Sequence, residues 1–233
     1  MKPLKKKSLI KSLAFRVLYP ATEKYLSKER KFKYKGINVI VFPGVFHPGF
    51  FFSTKILLNY LAKLDLHEKY LLELGAGTGL LSIFASKHGA FVTASDLSLT
   101  AVYNIEKNVK LTDANVEVVH SDLFDDIPHR RYDYIVINPP YYKKNPASEK
   151  ELAWFGGDDF QYFRKLFSHL GNNFYDDTTA LMVISDEAEI EMIKSIAREY
   201  NFLMKEVFHK KTWEKIISYS VLLVYRVNNH NRG

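Results

Sequence analysis

Segments typical of strands and of helices alternate along most of this chain, and that alternation is the feature that most constrains its fold. Seven runs rich in β-branched, aromatic and aliphatic residues predict strands at residues 70–74, 91–95, 116–120, 132–137, 180–184, 202–208 and 219–226. Apolar residues at helical spacing predict helices at residues 79–88, 99–110, 160–170 and 187–200. The pattern favours an α/β fold with a mainly parallel, Rossmann-like sheet and helices on both faces. No helix separates the last two strands, so we expect them to form an antiparallel hairpin.

The fourth predicted strand ends at the sequence Asn138-Pro139-Pro140-Tyr141. Two prolines cannot continue a central strand, because each lacks the amide N–H that the ladder needs. A polar amide and an aromatic ring are therefore held in a stiff turn at the carboxyl end of the strand, where open α/β sheets bind ligands. We take Asn138, Pro139 and Tyr141 as candidate catalytic residues. The alternative is a rigid turn that only ends the strand.

A glycine-rich turn follows the first predicted strand, with Gly75, Gly77 and Gly79 at alternate positions. Glycine permits positive φ angles and lets the backbone approach a ligand closely. The turn differs from a dinucleotide fingerprint, which needs Gly or Ala where Leu80 stands, and it lacks the Gly-Lys-Ser/Thr of a phosphate-binding loop. The pattern favours a nucleoside ligand without a pyrophosphate, or else a tight strand–helix connection with no ligand.

Three carboxylates follow or end predicted strands at the same edge of the sheet. Asp96 ends the second strand and can accept both hydroxyls of a ribose, or cap the next helix. Asp122 follows the third strand and can accept an adenine amino group, or serve as a turn residue. Glu73, beside the glycine turn, suits a cationic part of a ligand better than a phosphate. We take these acids and the three glycines as candidate cofactor-binding residues.

Together these motifs resemble those of class I S-adenosylmethionine-dependent methyltransferases. The resemblance extends over roughly residues 43–226 and rests on residues 73–79, Asp96, Asp122 and residues 138–141. The Asn-Pro-Pro-Tyr form is similar to that of enzymes that methylate planar nitrogens. These are the HemK-like protein-glutamine methyltransferases, the N6-adenine DNA and RNA methyltransferases, and small guanine-N2 rRNA methyltransferases. The resemblance implies S-adenosyl-L-methionine as the cofactor and a methyltransferase activity.

The same resemblance gives the turn a chemical role. An amide or aromatic amine is a poor nucleophile, because its lone pair is delocalised. The Asn138 side-chain oxygen and the Pro139 carbonyl can accept its two N–H groups, an interaction that strengthens as the methyl transfers. Tyr141 can stack on the planar acceptor, and Tyr142 and Trp154 are candidate substrate-binding residues. We expect most of the phenylalanines at 46 and 50–52 to lie in the core.

Positive charge is concentrated at the start of the chain. Residues 1–35 hold ten Lys and two Arg against two Glu, a net charge of +10, and the remaining 21 basic and 24 acidic residues give −3. We therefore divide the chain into a basic arm, residues 1–35, with a short helix at 8–18, and a methyltransferase domain, residues 36–233. The arm either contacts phosphates or only makes the chain more soluble, and the first interpretation makes an RNA base amino group the favoured acceptor. DNA and a protein glutamine amide stay as alternatives; HemK-like release-factor enzymes carry a helical N-terminal domain that the arm does not resemble.

Composition limits the other possibilities. The chain has no cysteine, which excludes disulfides and cysteine-ligated zinc, and its histidines form no ligand pair at helical spacing, so we expect no metal. No apolar run approaches the ~18–20 residues that span a bilayer, so we expect a cytoplasmic protein without stable membrane association. Two further classes remain open, a nicotinamide-dependent oxidoreductase, which Leu80 disfavours, and a non-catalytic scaffold with the same fold.

Overall fold

The computed structural model describes residues 25–50, 52–148, 151–212 and 217–227. The strands are β1 (Arg30–Tyr34), β2 (Ile37–Val41), β3 (Tyr70–Leu74), β4 (Phe91–Asp96), β5 (Val116–His120), β6 (Tyr134–Ile137), β7 (Thr179–Ser185), β8 (Phe202–Thr212) and β9 (Ile217–Arg226). The helices are α1 (Phe52–Leu61), α2 (Leu80–Lys87), α3 (Leu99–Thr112), α4 (Gln161–Asn173) and α5 (Ile190–Glu199). The helix expected at residues 8–18 lies outside the described residues.

Seven of the strands form one sheet, in the spatial order β5-β4-β3-β6-β7-β9-β8. β3, β4, β5, β6 and β7 are parallel to one another, whereas β9 is antiparallel to both β7 and β8. The predicted fold class, a mostly parallel sheet that ends in an antiparallel hairpin, is confirmed. Successive units run outward from β3 in one direction and from β6 in the other, so the order of the sheet switches between these two strands. Ligands of open α/β sheets bind at such a point.

Apolar residues cover both faces of the sheet. Because strand residues alternate between faces, Leu72 and Leu74 belong to one core cluster and Leu71 to the other. The first cluster is completed by α4 and α5, through residues such as Phe163, Leu166, Phe167, Ile193 and Ile196, and the second by α1 and α2, through Leu57, Leu58, Leu61, Leu80 and Ile83. The two layers hold the strand ends in fixed relative positions.

The strands β1 and β2 form a separate antiparallel hairpin that lies beside α3. Two fully buried asparagines of α3 attach it. Asn108 accepts from the Ile40 N–H at 2.7 Å, Asn104 accepts from the Phe42 N–H at 3.0 Å, and both donate to the Ile40 carbonyl. The amide side chains thus form hydrogen bonds with backbone groups on the edge of β2 that does not face β1. The predicted boundary between arm and domain, at residue 35, falls inside this hairpin, so the folded unit includes β1.

The predicted strand ends differ from the observed ones by more than one residue at two places. β6 begins at Tyr134 and not at residue 132, because the Asp133 carboxylate accepts the Tyr70 N–H at 2.8 Å where a ladder bond would otherwise form. β8 continues to Thr212, and β9 begins at Ile217, so the hairpin is longer than predicted. In the part of the chain that the structure describes, no helix has the length and apolarity to cross a bilayer.

Candidate active site

The carboxyl ends of the central parallel strands open into one cleft of about 410 Å³, a volume in the range of small-molecule sites. All of the predicted site residues except Gly79 line it: Glu73, Gly75, Gly77, Asp96, Asp122, Asn138, Pro139, Tyr141, Tyr142 and Trp154. These residues come from four different strand ends and from the loop after β6. The topology therefore brings together the groups that the sequence analysis selected separately.

The three glycines after β3 all have left-handed backbone, with φ of 70° at Gly75, 56° at Gly77 and 72° at Gly79. A Cβ added at Gly75 would meet nothing within 4 Å, and one at Gly77 would have only Val45 Cγ1 at 3.8 Å. The first two glycines thus present bare backbone to the cleft. A Cβ at Gly79 would lie 3.0 Å from Ile105 Cγ2. Gly79 stands behind the cleft wall, and its missing side chain lets the start of α2 pack on α3.

Asp96 joins the glycine turn to the end of β4. Its Oδ2 accepts the Gly77 N–H at 2.9 Å, and its Oδ1 accepts the Ser98 N–H at 3.0 Å. These bonds fix the carboxylate at the cleft wall. Each carboxylate oxygen has a second lone pair, so Asp96 can also accept hydroxyl groups of a ligand. The alternative role predicted for Asp96 was to cap the next helix. Ser98 caps that helix instead, because its hydroxyl accepts the Ala101 N–H at 3.2 Å.

Glu73 lies at the floor of the cleft and is only 4% exposed. Its Oε2 accepts both the N–H and the hydroxyl of Ser82, at 2.9 and 2.5 Å, in the first turn of α2. Burial raises the pKa of Glu73 to about 8, against the opposing effect of the Ser82 bonds. At neutral pH the side chain is therefore largely protonated. A cationic ligand group beside it would favour the ionised form.

Asp122 forms an ion pair that the sequence did not reveal. Lys165 of α4 donates to Asp122 Oδ2 and to Asp125 Oδ2, both at 2.6 Å. The bond from Lys165 holds the pKa of the Asp125 carboxyl below its ordinary value. Lys165 also lines the cleft, so an ammonium group sits on the carboxylate that we predicted to accept an adenine amino group. Asp122 keeps its other oxygen for such a donor.

Asn138 is held from across the cleft by α1. Its Nδ2 donates to Thr54 Oγ1 at 3.4 Å, and Thr54 is only 7% exposed. This bond uses the nitrogen end of the amide, so the Oδ1 end is left for a donor in the cleft. Pro139 and Pro140 fix the backbone that follows. The turn thus presents a side-chain oxygen and lies next to the glycine turn, since β6 pairs directly with β3.

The two tyrosines of the loop are anchored through their phenol groups. Tyr142 donates to Glu187 Oε2 at 2.9 Å, and Tyr141 packs against the core with its hydroxyl bonded to Tyr219 of β9. Burial raises the pKa of both phenols well above the ordinary value. Both stay neutral at physiological pH. Their rings line the cleft, and their hydroxyls tie the loop to the sheet.

Trp154 closes the loop that begins at Tyr142. The Tyr142 N–H donates to the Trp154 carbonyl at 3.1 Å, and the Gly156 N–H donates to the Tyr142 carbonyl at 3.0 Å. A Cβ at Gly156 would collide with the Pro140 carbonyl oxygen, so only glycine fits beside the proline turn. The Trp154 ring contacts Phe46 at 5.2 Å between centroids. An aromatic pair therefore lies on the cleft wall, contributed by the loops after β2 and β6.

Several cleft residues were not predicted as site residues. Thr54 and Lys165 are examples, and their distance in sequence from the motifs left no signal. The expectation for the phenylalanine cluster was wrong in part, because Phe50 and Phe52 are 42% and 39% exposed and Phe46 lines the cleft. Within the described ranges, no three His, Cys, Asp or Glu side chains are grouped so that they could hold a metal ion.

The groups that line this cleft suit a nucleoside-bearing sulfonium compound. Bare backbone at Gly75 and Gly77 permits close approach, and the Asp96 carboxylate can accept ribose hydroxyls. Asp122 can accept an exocyclic amino group, and Glu73 offers a carboxyl group to a cationic centre. Leu80, the first residue of α2, stands where a pyrophosphate-binding dinucleotide fingerprint needs Gly or Ala.

Solved structures share this fold. A 16S rRNA N2 methyltransferase of T. thermophilus, solved with AdoMet and guanosine, matches with a TM-score of 0.62 and 20% identity, covering 86% of this chain and 50% of that one. A methyltransferase of Pyrococcus furiosus matches with a TM-score of 0.63 and 18% identity, covering 92% of this chain and 100% of that one. At these identities the likeness concerns the fold.

Curated relatives are also methyltransferases by name. A Methanocaldococcus jannaschii protein, with the provisional name protein N5-glutamine methyltransferase, is 35% identical over 133 residues, 54% of this chain. This chain spans 64% of that relative's length. The release factor glutamine methyltransferase of Bacteroides thetaiotaomicron is 28% identical over 190 residues, which are 69% of this chain and 68% of the relative.

A family model described as the methyltransferase small domain matches residues 36–154, just over half of the chain. That match includes the glycine turn, the three acids and the proline turn. It confirms the predicted assignment to the class I methyltransferases, with S-adenosylmethionine as the cofactor. The chain belongs to the methyltransferase small domain family.

Proposed function

We propose that the protein is an S-adenosylmethionine-dependent N-methyltransferase that acts on a planar NH₂ group, with an amino group of an RNA base as the favoured acceptor. The observation that carries this proposal is the Asn138–Thr54 bond, which uses the nitrogen of the Asn138 amide and leaves its oxygen for a donor in the cleft. When bound, the cofactor supplies an electrophilic methyl group. The chain's own residues bind, orient and shield the two reactants.

The acceptor side of the site is built from Asn138 Oδ1 and the Pro139 carbonyl. Two oxygens accept the two N–H groups, and this fixes the plane of the acceptor and the direction of its lone pair. Positive charge develops on the nitrogen during transfer, so these bonds strengthen in the transition state. Tyr141 lines the cleft beside them and can stack on a planar acceptor. No general base is needed, because the proton can leave after transfer.

The cofactor side is built from Gly75, Gly77, Asp96, Asp122 and Glu73. Asp96 and Asp122 would hold the ribose hydroxyls and the adenine amino group. Glu73 would face the cationic part. Asp96 is already fixed by two backbone N–H groups, so it needs no rearrangement to bind.

Two observations favour different acceptors. The net charge of +10 in residues 1–35 supports a polyanion, and RNA bases present the required NH₂ group. A glutamine amide is the second candidate, supported by the names of the Methanocaldococcus and Bacteroides relatives. Both acceptors are planar and carry two N–H groups, so the Asn138 and Pro139 oxygens suit either.

Asn138→Ala tests the mechanism. Loss of a positioned acceptor is expected to lower kcat by about 10²–10³, as for other preorganised polar groups, with S-adenosylmethionine affinity nearly unchanged by calorimetry. Asn145→Ala is the matched control, since Asn145 lines the same cleft but follows no strand. Normal turnover in Asn138→Ala contradicts the role of the turn.

The acceptor is identified by labelling. Methyl-labelled cofactor is incubated with the full chain and separate RNA, DNA and protein fractions. Label in RNA supports the favoured acceptor, and label in protein, recovered as methylglutamine, supports the second candidate. No labelled fraction and no cofactor binding at millimolar concentration would leave the scaffold alternative.

A further inference from the structure

A row of lysines lies along the outer edge of the β1–β2 hairpin. Lys31 and Lys33 are exposed and alternate in β1 with the half-buried Phe32 and Tyr34, because successive strand residues point to opposite faces. Lys35 is exposed in the turn that follows. Lys31 and Lys33 are therefore about 7 Å apart along the strand, and Lys35 follows directly after the end of the strand.

Several other lysines in the described part of the chain form ion pairs. Lys69, Lys107, Lys144, Lys165 and Lys194 each contact a carboxylate within 4.0 Å. No described carboxylate lies at ion-pair distance from any lysine of the β1 row.

The opposing strand adds no negative charge to the row. Lys31 pairs with Ile40 and Lys33 with Asn38, and residues 30–41 include no acidic residue. Glu29, two residues before Lys31, is acidic but forms an ion pair with Lys107 of α3. The lysine charges are therefore left for an anion from outside the hairpin.

The row begins close to the cleft. The start of β1 pairs with Val41, the last residue of β2, and the chain then passes within five residues into the cleft wall at Gly44, Val45 and Phe46. The asparagines of α3 hold this junction rigidly, as described above. A chain-like ligand with one unit in the cleft can therefore continue along the hairpin.

Exposed aromatic rings lie beside the start of the row, on the opposite face of the hairpin, which carries Arg30 and Phe32. Tyr25 and Phe50 are 43% and 42% exposed and contact one another at 5.4 Å between ring centroids. The Arg30 guanidinium lies 3.8 Å from the centre of the Tyr25 ring. Basic side chains combined with exposed aromatic rings are typical of surfaces that bind single-stranded nucleic acid, where phosphates pair with cations and bases stack on rings.

We propose that the Lys31–Lys33–Lys35 row, with Tyr25 and Phe50 beside its start, is a docking surface for single-stranded RNA that flanks the acceptor base. The inference rests on the proposed function and names where the rest of the substrate lies. Three phosphate contacts fix the strand's position without reading sequence, and the aromatic rings take unstacked bases. The cleft alone selects the base to be methylated.

A different role must be separated from this one. Lysines on an edge strand also prevent edge-to-edge association of sheets, and among the described strands β1 pairs with β2 alone. That role predicts self-association after lysine removal, without any change in RNA affinity.

The test compares two triple variants of the full chain. One is Lys31→Gln/Lys33→Gln/Lys35→Gln. The control is Lys205→Gln/Lys210→Gln/Lys211→Gln, which removes three exposed lysines from β8, the edge strand of the large sheet. Both lose the same charge. Binding of a labelled single-stranded RNA of about 12 nucleotides is followed by fluorescence anisotropy from low to high salt.

In the β1 triple variant, the slope of the logarithm of the RNA-binding constant against the logarithm of the salt concentration should become less steep by about 2. Each of the three lost phosphate contacts contributes about 0.7 on a single strand. The same slope gives a roughly hundredfold weaker Kd at 0.1 M salt. Tyr25→Ala should weaken binding without changing the slope. Replacing the three lysines by arginine should keep both quantities near wild type.

Three results overturn the inference: equal losses in the two glutamine triples, an unchanged slope, or self-association by light scattering with RNA affinity intact. Calorimetry with S-adenosylmethionine separates this failure from that of the proposed function. If the wild-type protein binds the cofactor and methylates protein but shows no salt-dependent RNA binding, only the docking surface is refuted. Wild type that binds no cofactor refutes the proposed function.

Discussion

Replacing Glu73 by Gln is expected to remove a pH dependence from the stability of the fold. Glu73 is 4% exposed, and burial raises its pKa in the folded protein from 4.5 to about 8. The unfolded chain loses this proton near pH 4.5, whereas the folded chain keeps it until about pH 8. Between these values the folded state binds more protons, so the free energy of unfolding falls as pH rises.

The size of the effect follows from the two pKa values. Linkage gives a cost of about 1 kcal/mol at pH 5, about 3 kcal/mol at pH 7 and about 5 kcal/mol at pH 9, relative to a side chain that never ionises. Glutamine is such a side chain and has nearly the same shape. It keeps a carbonyl oxygen that can accept the bonds from Ser82. The difference in free energy of unfolding between Glu73→Gln and wild type should therefore increase by about 4 kcal/mol from pH 5 to pH 9, in favour of the variant.

Urea unfolding at several pH values, without cofactor, measures this difference. Asp133→Asn is a suitable control, because Asp133 also accepts a backbone N–H at a strand end but is partly exposed. A difference between Glu73→Gln and wild type that stays constant from pH 5 to pH 9 would refute the raised pKa. Cofactor binding adds a second readout: if a cationic ligand group faces Glu73, wild type should release up to one proton on binding at pH 7, and Glu73→Gln none.

Three further predictions concern groups around the cleft. Thr54→Val should lower kcat about fivefold with cofactor affinity unchanged, since it removes an Asn138 bond worth about 1 kcal/mol, and Thr54→Ser should restore it; equal kcat in both variants contradicts the positioning role. Gly75→Ala and Gly79→Ala both strain a left-handed φ, but Gly75→Ala should weaken cofactor binding by calorimetry, whereas Gly79→Ala also crowds Ile105 and should show the larger loss of thermal stability, about 2 kcal/mol or more. Gly156→Ala should abolish methyl transfer while cofactor binding persists, because the loop can no longer rest on the proline turn; full activity would show that the loop tolerates displacement.

The sequence revealed the groups that stand at strand ends and missed the groups that support them. A strand end is a local feature, so Asp96 after β4 and Asn138 after β6 could be placed at one edge of the sheet once the strands were parallel. Their partners come from distant segments: Thr54 lies 84 residues from Asn138, and Lys165 lies 43 residues from Asp122. No local pattern records such contacts, because they depend on how helices of both layers cross the sheet.

The β1 strand shows how charge can hide a periodic signal. Residues 31–35 alternate basic and aromatic side chains, which is the period of a strand. The sequence analysis placed them in the basic arm because lysine is so frequent there. The structure satisfies both patterns at once, because Phe32 and Tyr34 pack inward while the lysines face solvent. A strand of this kind is stable only against a partner such as β2 and the asparagines of α3, all of which lie later in the chain. The positive charge is therefore carried at least in part on a rigid surface beside the cleft, where its geometry can position a substrate and not merely attract one.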